Sequence, residues 1–219
     1  MVREALAAGA VLELFATRQA LDRHPELAAD AAEISVKDAA ALSDTVTPQG
    51  LVAVCRRIDV PLEQALAGAR LVAALVEPND PGNAGTILRT ADAAGADAVV
   101  VAGGVDLYNG KAVRASAGSL FHLNVVMDVD VRDVLGAGRD LVRLAASGSG
   151  TRDVDELAAD GTLGRPTMWL FGSEAHGLPA DALGAADHTV RVPIYGRAES
   201  LNLAAAAAIC LYASARAQR

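Results

Sequence analysis

The first stretch with residues suited to chemistry is a loop rich in Pro, Asn, Asp and Gly, residues 77–85, followed by an arginine. Asn83 is well placed to cap the helix that follows, and Gly85 allows close approach of a backbone or a ligand. Arg89 falls on the first turns of that helix, where its guanidinium could clamp a phosphate or another anion. The alternative for Arg89 is a surface arginine with a salt-bridge partner.

A second polar loop follows the apolar run 167–171, which stops at Gly172. Gly177 closes this loop, so its backbone amides and carbonyls could hold a polar small molecule. Glu174 could accept hydrogen bonds from a ligand or orient the loop. His176 could act as a base, but the sequence assigns it no carboxylate or nucleophile partner, which favours a structural position at the rim.

The last polar loop, residues 191–202, leads into an alanine-rich helix. Ser200 is a natural N-cap for this helix. Asn202 would then lie inside the first turn, where asparagine is not a preferred helix former. Its place among leucines and alanines suggests a task beyond helix propensity. The alternative is a buried asparagine bonded to neighbouring backbone.

The common nucleotide and hydrolase signatures are absent from the sequence. Five residues rather than four separate Gly104 from Gly110, and Ala112 follows Lys111, so the P-loop pattern fails. No strand is followed by Gly-x-Gly-x-x-Gly, and no Gly-x-Ser-x-Gly nucleophile elbow occurs. The sequence therefore disfavours P-loop, dinucleotide-binding and serine-hydrolase chemistry.

The elements that must position these loops alternate between strands and helices. Continuous apolar strands separated by helices predict a parallel sheet covered on both faces, that is, an α/β fold. Ligands of such sheets bind in loops beyond the carboxyl ends of the strands. We predict strands over residues 11–17, 33–36, 51–56, 71–76, 98–101, 122–127, 141–145, 167–171 and 189–192, with helices over 3–8, 38–42, 84–94 and 201–216.

The predicted elements fall into two series, which define the expected domains. Residues 1–57 form a small α/β domain, residues 58–70 a linker, and residues 71–219 a larger parallel-sheet domain. The loops that could bind a ligand all belong to the larger domain. They are residues 77–85, 103–111, 172–179 and 193–200.

Composition restricts the class of protein further. Hydrophobic residues make up 52% of the 219 residues and aromatic residues only 3%, so the core must be aliphatic. A net charge of −8 counts against a protein that simply coats nucleic acid, without excluding a local basic patch. No apolar run is long enough to span a membrane, and the first residues do not match a signal peptide, so we expect a cytoplasmic protein. Cys55 and Cys210 are expected to be buried, reduced thiols.

Together, the polar loops carry a family resemblance. The three motifs of the SpoU (TrmH) family resemble, in order and spacing, Asn83-x-Gly85-x-x-x-Arg89, then residues 170–178, then Pro193-Ile194-x-Gly196-x-x-x-Ser200-Leu201-Asn202. Members of this family are S-adenosylmethionine-dependent RNA ribose 2′-O-methyltransferases of the knotted SPOUT class. Ser173 stands where the second motif often has Asn. Residues 1–56 resemble the small ribosomal-protein-like domain that many members carry in front, which looks shortened at its start here.

The resemblance implies a parallel-sheet methyltransferase domain whose C-terminal segment threads through a loop to make a deep trefoil knot. It also implies that S-adenosylmethionine binds, bent, in the knot, and that no metal is required. Aliphatic walls combined with backbone hydrogen bonds suit a neutral adenine ring. The cofactor-binding residues implied are Gly172, Val192 and Leu201 around the adenosine, with Glu174, Pro193 and Ile194 close by.

The resemblance also assigns catalytic roles. Because an arginine stays protonated, Arg89 is better viewed as a phosphate ligand and stabiliser of the developing alkoxide than as a base. Asn83, Ser200 and Asn202 would position the hydroxyl and Arg89. Family members are obligate dimers with the site assembled across the interface, and the alanine face at 204–208 would permit close helix approach.

The resemblance leaves the RNA substrate open, and the front domain favours a large structured RNA, 23S ribosomal RNA, over tRNA. Alternatives are a tRNA ribose methyltransferase, a non-catalytic RNA-binding protein with this fold, and a nucleotide-binding α/β enzyme of another chemistry. We expect a basic strip that grips phosphates, so that binding weakens steeply with salt. Its predicted members are Arg56, Arg57, Arg89, Lys111, Arg114 and Arg197.

Overall fold

The computed structural model describes residues 1–43, 45 and 47–219. The chain divides into two compact units, Met1–Ile58 and Asp59–Arg219. Residues 58–70, predicted as a linker, differ from that expectation because a short helix, α4 (Leu62–Leu66), lies within them. Leu62 and Ala65 of this helix are buried in the core of the second unit, so residues 59–70 are part of that unit's packing.

The first unit contains a three-stranded mixed sheet and short helices. Its strands are β1 (Val11–Thr17), β2 (Ala31–Ile34) and β3 (Leu51–Cys55). β1 lies in the centre, parallel to β2 and antiparallel to β3. The helices are α1 (Val2–Ala7), α2 (Arg18–Arg23) and α3 (Val36–Ala41).

Helix α2 is absent from the sequence prediction. It begins directly at the end of β1, where the Thr17 side chain accepts a hydrogen bond from the Ala20 backbone N–H at 3.3 Å. A threonine that ends one strand and caps the next helix leaves no loop between them. The periodicity of residues 18–23 is too short to indicate a helix by itself.

The second unit is built on a seven-stranded sheet in which all neighbouring strands are parallel. Its strands are β4 (Leu71–Val76), β5 (Ala98–Ala102), β6 (Asn124–Val126), β7 (Val142–Ala146), β8 (Arg152–Asp153), β9 (Thr167–Phe171) and β10 (His188–Arg191). The spatial order is β6-β5-β4-β9-β7-β10-β8. The predicted parallel α/β architecture is confirmed, whereas the trefoil knot stays a prediction.

Helices alternate with these strands along the chain. After α4 come α5 (Pro81–Ala94), α6 (Gly110–Ser116), α7 (Val131–Ala137), α8 (Val154–Ala159), α9 (Ala180–Ala185) and α10 (Leu203–Ala217). The longest two, α5 and α10, pack against each other. None of the helices in the described residues is long and apolar enough to cross a membrane.

The centre of the sheet is dry, because every residue of β4, β5 and β9 is buried. Trp169 and Phe171 on β9 stack with their ring centroids 6.2 Å apart. The Trp169 indole N–H donates to Ser214 Oγ of α10 at 2.9 Å, so its polar atom is satisfied inside the core. This contact fixes the last helix onto the strand that leads into the Gly172 loop.

The two cysteines differ in burial, and the structure corrects half of the expectation. Cys210 is buried in α10, but Cys55 is only half-buried because β3 is an outer strand of the small sheet. Burial raises the pKa of both thiols, that of Cys210 to about 12. A thiol of raised pKa holds little thiolate, the reactive form, at neutral pH.

We therefore expect a thiol-alkylating reagent to label Cys55 in the folded protein and Cys210 only after unfolding. Peptide mass mapping of protein alkylated with and without denaturant measures this directly. Labelling of Cys210 at the same rate as Cys55 in the folded protein would contradict the packing of α10.

Candidate active site

A cavity of about 780 Å³ lies at the carboxyl ends of β7, β9 and β10. This volume falls within the range of roughly 300–1,000 Å³ that small-molecule sites occupy. The position follows the rule that open parallel sheets bind ligands beyond their strand ends. The lining consists mainly of the strand ends and the loops that follow them: residues 146–148 from β7 onward, residues 171–174, 177 and 178 from β9 onward, and residues 190–195 and 199–203 from β10 onward.

The loop after β9 is folded tightly against itself. Ser173 and Gly177 exchange two backbone hydrogen bonds, 3.1 Å from Ser173 N to Gly177 O and 2.9 Å from Gly177 N to Ser173 O. A Cβ at Gly172 would overlap the backbone of Gly177 and Leu178, so only glycine fits there. His176 is exposed, and its backbone N–H donates to Ser173 Oγ at 3.3 Å.

Side-chain hydrogen bonds among Asn83, Glu174 and Asn202 join the three polar loops, and we call this set of bonds the bridge. Asn83 Nδ2 donates to Glu174 Oε1 at 2.8 Å, and the Asn79 backbone N–H donates to Glu174 Oε2 at 3.2 Å. Asn83 Oδ1 in turn accepts from Asn202 Nδ2 at 3.1 Å. The structure thus brings together Asn83, Glu174 and Asn202, which are far apart in sequence.

The charge state of Glu174 follows from the hydrogen bonds of the bridge. Burial by itself would raise the pKa of its carboxyl group, but the hydrogen bonds from Asn83 and from backbone N–H groups, including that of Asn79, outweigh burial and lower the pKa below 4.5. Glu174 is therefore a carboxylate at neutral pH. Its lowered pKa contributes stability above pH 4.5, and that contribution is lost as pH falls through the folded-state value.

The N-caps of α5 and α10, the two helices that the bridge connects, differ from the sequence prediction. Helix α5 begins at Pro81 rather than after Asn83, and Asp80 is its N-cap, accepting from the Gly82 N–H at 2.9 Å. Helix α10 begins at Leu203, and its N-cap is Asn202 rather than Ser200. In each case the predicted cap was wrong, because an Asp or Asn in extended conformation lay at a better position.

Asn202 therefore has two tasks at once. Its Oδ1 accepts from the backbone N–H groups of Ala204 at 2.9 Å and Ala205 at 3.3 Å, while its Nδ2 donates to Asn83. Asn202 thus has a task beyond helix propensity, because it bonds to another helix as well as to its own. Losing the side chain would free both the first turn of α10 and one end of the bridge to α5.

The other two predicted catalytic residues, Ser200 and Arg89, are not members of the bridge. Ser200 lines the cavity and is exposed. Arg89 is exposed on α5 and is not part of the cavity lining. Within the part of the chain that the structure describes, its guanidinium makes no hydrogen bond or ion pair. Arg89 is thus available to an anion that approaches from outside.

The predicted RNA-binding cations have different surroundings. Lys111 is ion-paired to the α5 cap, with its Nζ 2.6 Å from Asp80 Oδ1, and this contact lowers the pKa of the Asp80 carboxyl. Arg114 and Arg197 are exposed. Lys111 therefore orders the start of α5, whereas the two arginines keep their charges at the surface.

The cavity lining fits a nucleoside with a cationic group. All six predicted cofactor-binding residues line it: Gly172, Glu174, Val192, Pro193, Ile194 and Leu201. Their aliphatic side chains suit an adenine ring, and the carboxylates of Glu174, Asp153 and Glu199 suit the positive charges of S-adenosylmethionine.

Sequence reasoning missed one wall of the cavity. Ser147 and Gly148 follow β7, and Asp153 ends β8, and all three line the cavity. A signal was available, because a predicted parallel strand ends at residue 145 and ligand loops follow such ends. Its sequence, Ser-Gly-Ser-Gly, carries no polar side chain that stands out.

Fold and site together define a class of protein: an α/β protein that holds a nucleoside-like ligand among the strand-end loops of an open parallel sheet. The chain belongs to the SpoU rRNA methylase family, whose family model matches residues 70–212. The family membership that the sequence motifs predicted is thereby confirmed. With it are confirmed the enzyme class, an RNA 2′-O-ribose methyltransferase, and its cofactor, S-adenosylmethionine.

Individual relatives and solved structures agree with this assignment. The chain is 40% identical over 190 residues to the 23S rRNA (guanosine(2553)-2′-O)-methyltransferase RlmP of Bacillus subtilis strain 168, covering 78% of this chain and 67% of that protein. It is 40% identical over 147 residues to the 23S rRNA (uridine(2479)-2′-O)-methyltransferase of Streptomyces viridochromogenes, covering 64% of this chain and 50% of that protein.

A solved structure resembles nearly the whole chain. The SpoU methyltransferase AviRb from Streptomyces viridochromogenes, in complex with AdoMet, superimposes with a TM-score of 0.83 at 29% identity. The match covers 98% of this chain and 86% of that one. The chain therefore spans most of a solved SpoU methyltransferase, but only about half to two thirds of the two curated relatives.

Proposed function

We propose that this protein methylates a ribose 2′-hydroxyl of 23S ribosomal RNA with S-adenosylmethionine as donor. The observation that carries the proposal is the bridge Asn83–Glu174–Asn202, which ties the three motif loops together beside a cavity of cofactor size. The 23S substrate is supported by two relatives that are named 23S rRNA 2′-O-methyltransferases. Transfer to tRNA is the main alternative.

The loops after β7, β9 and β10 would hold the donor in the cavity that they line. Bound S-adenosylmethionine supplies an activated methyl group on a sulfonium, so the protein has only to bind, orient and exclude water. Gly172, Val192 and Leu201 line the cavity and would border the adenosine, with Glu174 and Pro193 close to it. Fixing a hydroxyl next to the methyl group supplies much of the acceleration.

Arg89, Asn83, Ser200 and Asn202 form the catalytic set in this proposal. Arg89 holds a phosphate beside the target ribose and stabilises the negative charge that develops on the 2′-oxygen. Ser200 and the two asparagines orient the hydroxyl. The Arg89 guanidinium, which has no partner among residues 1–43, 45 and 47–219, remains available for such a role.

Arg89 is not part of the cavity lining, so the catalytic set is proposed to be completed in a homodimer. Helix α10 presents an apolar face for it, since Ile209 and Tyr212 are 42% and 44% exposed. Of the predicted alanine face, Ala204 and Ala207 are buried within their own chain. The dimer contact is therefore assigned to the other side of α10.

The first unit, Met1–Ile58, is proposed to bind RNA, and the protein to work in the cytoplasm. Support comes from two exposed cations of this unit, Arg56 and Lys37, whereas Arg3 is paired with Glu26 at 2.9 Å. Exposed cations attract phosphates, and the same role is proposed separately for Arg89, Arg114 and Arg197 of the second unit. Binding of this kind weakens as the salt concentration rises, and a salt-independent Kd would rule these phosphate contacts out.

The proposal is tested by transfer of a labelled methyl group from S-adenosylmethionine to total bacterial RNA that lacks the modification. The RNA is then separated by size. Label in 23S ribosomal RNA supports the proposal. Label in tRNA alone would support RNA methylation by this protein but would replace 23S ribosomal RNA by tRNA as the substrate. Absence of label together with measured donor binding supports the non-catalytic alternative.

Glu174→Gln tests the bridge. Asn83 and the Asn79 N–H donate to different oxygens of the carboxylate, and the single oxygen of Gln can occupy only one of these two positions, so one donor loses its acceptor. Breaking such a hydrogen bond to a charged group costs about 1.5–3 kcal/mol. We expect the Kd for S-adenosylmethionine to rise, or kcat to fall, by at least about tenfold, measured by calorimetry and methyl transfer.

Glu199→Gln is the matched control for this experiment. Glu199 also lines the cavity, but it is not part of the bridge. The same loss of charge there is expected to change Kd and kcat less than Glu174→Gln does. Equal effects of the two substitutions would assign Glu174 a general electrostatic role and contradict its role in the bridge.

A further inference from the structure

One aromatic ring stands out by its exposure. The chain has only three Tyr, three Phe and one Trp. The Trp169 and Phe171 rings are fully buried, whereas Tyr195 is 90% exposed. Its hydroxyl has no hydrogen-bond partner within the residues that the structure describes. Tyr195 therefore contributes nothing to the core or to the local hydrogen bonding of its loop.

The position of this ring is the second observation. Tyr195 lies in the loop between β10 and α10 and belongs to the cavity lining. Ile194 before it and Leu201 after it are 39% and 37% exposed, so the mouth of the cavity has an apolar lip. Arg197, two residues further on, is exposed as well. An aromatic face and a guanidinium thus lie close together in sequence at the entrance.

This combination fits one kind of ligand chemistry. Surfaces that bind single-stranded nucleic acid combine aromatic rings, on which bases stack, with cations that follow the phosphates. A base stacked on an aromatic side chain contributes about 1–3 kcal/mol, whatever its identity. Sequence-specific proteins also read RNA mainly where its bases are unstacked and can be splayed out.

We propose that Tyr195 is a stacking platform for an unpaired base of the RNA substrate at the entrance to the donor cavity. Arg197 lies beside the backbone phosphate of that nucleotide or its neighbour. The platform holds the RNA so that a ribose faces the methyl group. This inference rests on the proposed function, because it names how the same site recognises its RNA.

Three substitutions separate stacking from other roles of the ring. Tyr195→Phe keeps the aromatic face, Tyr195→Leu keeps apolar bulk without it, and Tyr195→Ala removes both. With an unmodified 23S transcript as substrate, we expect Phe to match the wild type. Leu and Ala are expected to raise the KM for RNA by about 5- to 150-fold, the range that the stacking energy implies. The Kd for S-adenosylmethionine stays within about twofold in all three.

Several results would overturn the platform. Wild-type KM for Tyr195→Ala would show that the ring does not touch RNA. Full activity of Tyr195→Leu would reduce the contact to apolar packing. A raised Kd for S-adenosylmethionine would make Tyr195 part of the donor pocket, and a changed oligomeric state would place it against a second copy of the chain.

A binding measurement keeps this test independent of the methylation activity. In Tyr195→Trp, the new indole is exposed, whereas Trp169 is buried and is also present in the wild type. We expect the 23S transcript to quench the additional fluorescence of the variant and to leave that of the wild type unchanged. Quenching without methyl transfer would support the platform while the proposed function fails. Unquenched fluorescence at saturating RNA would reject the platform while methylation stands.

Discussion

Replacing Arg89 with alanine is expected to lower kcat for RNA methylation by about 10²–10³-fold, the usual cost of losing one charge-stabilising group in a transition state. The Kd for S-adenosylmethionine should stay within about twofold, because Arg89 is not part of the cavity lining. Single-turnover methyl transfer and calorimetry measure the two quantities. Their separation is the main point, since loss of both would indicate misfolding.

Two further variants sharpen the test of Arg89. Arg89→Lys keeps the charge but not the planar fork that matches a phosphate, so we expect only partial recovery. Arg139→Ala removes another exposed arginine, just beyond α7, and is expected to behave as the wild type. Full activity of Arg89→Ala would contradict the assignment of Arg89 to the catalytic set.

Gly172→Ala is expected to have the second large effect. The added methyl group would overlap the backbone of Gly177 and Leu178, so the loop after β9 must open. Overpacking of this kind typically costs about 1–3 kcal/mol of stability. Since this loop forms one wall of the cavity, we expect the affinity for S-adenosylmethionine to fall by at least about tenfold.

Gly136→Ala is the matched control for this substitution. A Cβ at Gly136, in α7, meets no atom within 4 Å. The change should leave donor affinity unaltered and stabilise the helix by about 0.5–1 kcal/mol. Thermal unfolding with and without S-adenosylmethionine reports both effects. A Gly172→Ala protein that the donor stabilises as much as the wild type would show that the loop tolerates a side chain.

The sheet could be predicted from the sequence because its strands are continuous apolar runs. The predicted limits of β1, β4 and β9 match the structure, and these strands are flanked by turn residues or helix caps. Buried parallel strands read this way because both of their faces are covered. The short strand β8, two residues long, carries no such signal.

The helix starts were less predictable, since a cap depends on which of several polar residues takes the extended conformation. Asp80 precedes α5 and Asn83 lies in its first turn, whereas Ser200 and Asn202 both precede α10. The sequence alone does not choose between them. Contacts with residues distant in sequence favour the observed caps: Lys111 pairs with Asp80, and Asn202 donates a hydrogen bond to Asn83.

Part of the cavity lining could be predicted from the sequence, but the wall formed by Ser147, Gly148 and Asp153 and the connections between the loops could not. The six predicted cofactor residues all line the cavity. The bridge through Glu174, however, joins residues more than ninety positions apart, and no local pattern indicates such a contact. The same holds for Lys111, whose ion pair with Asp80 makes it part of the framework around α5.

The central claim is that methyl transfer goes to a ribose 2′-oxygen rather than to a base. The most direct measurement is nucleoside analysis, by mass spectrometry, of an unmodified 23S transcript incubated with the protein and S-adenosylmethionine. We expect a single 2′-O-methylnucleoside, absent when Arg89→Ala replaces the wild type. A base-methylated nucleoside in its place would contradict the proposed role of Arg89 and of the bridged loops.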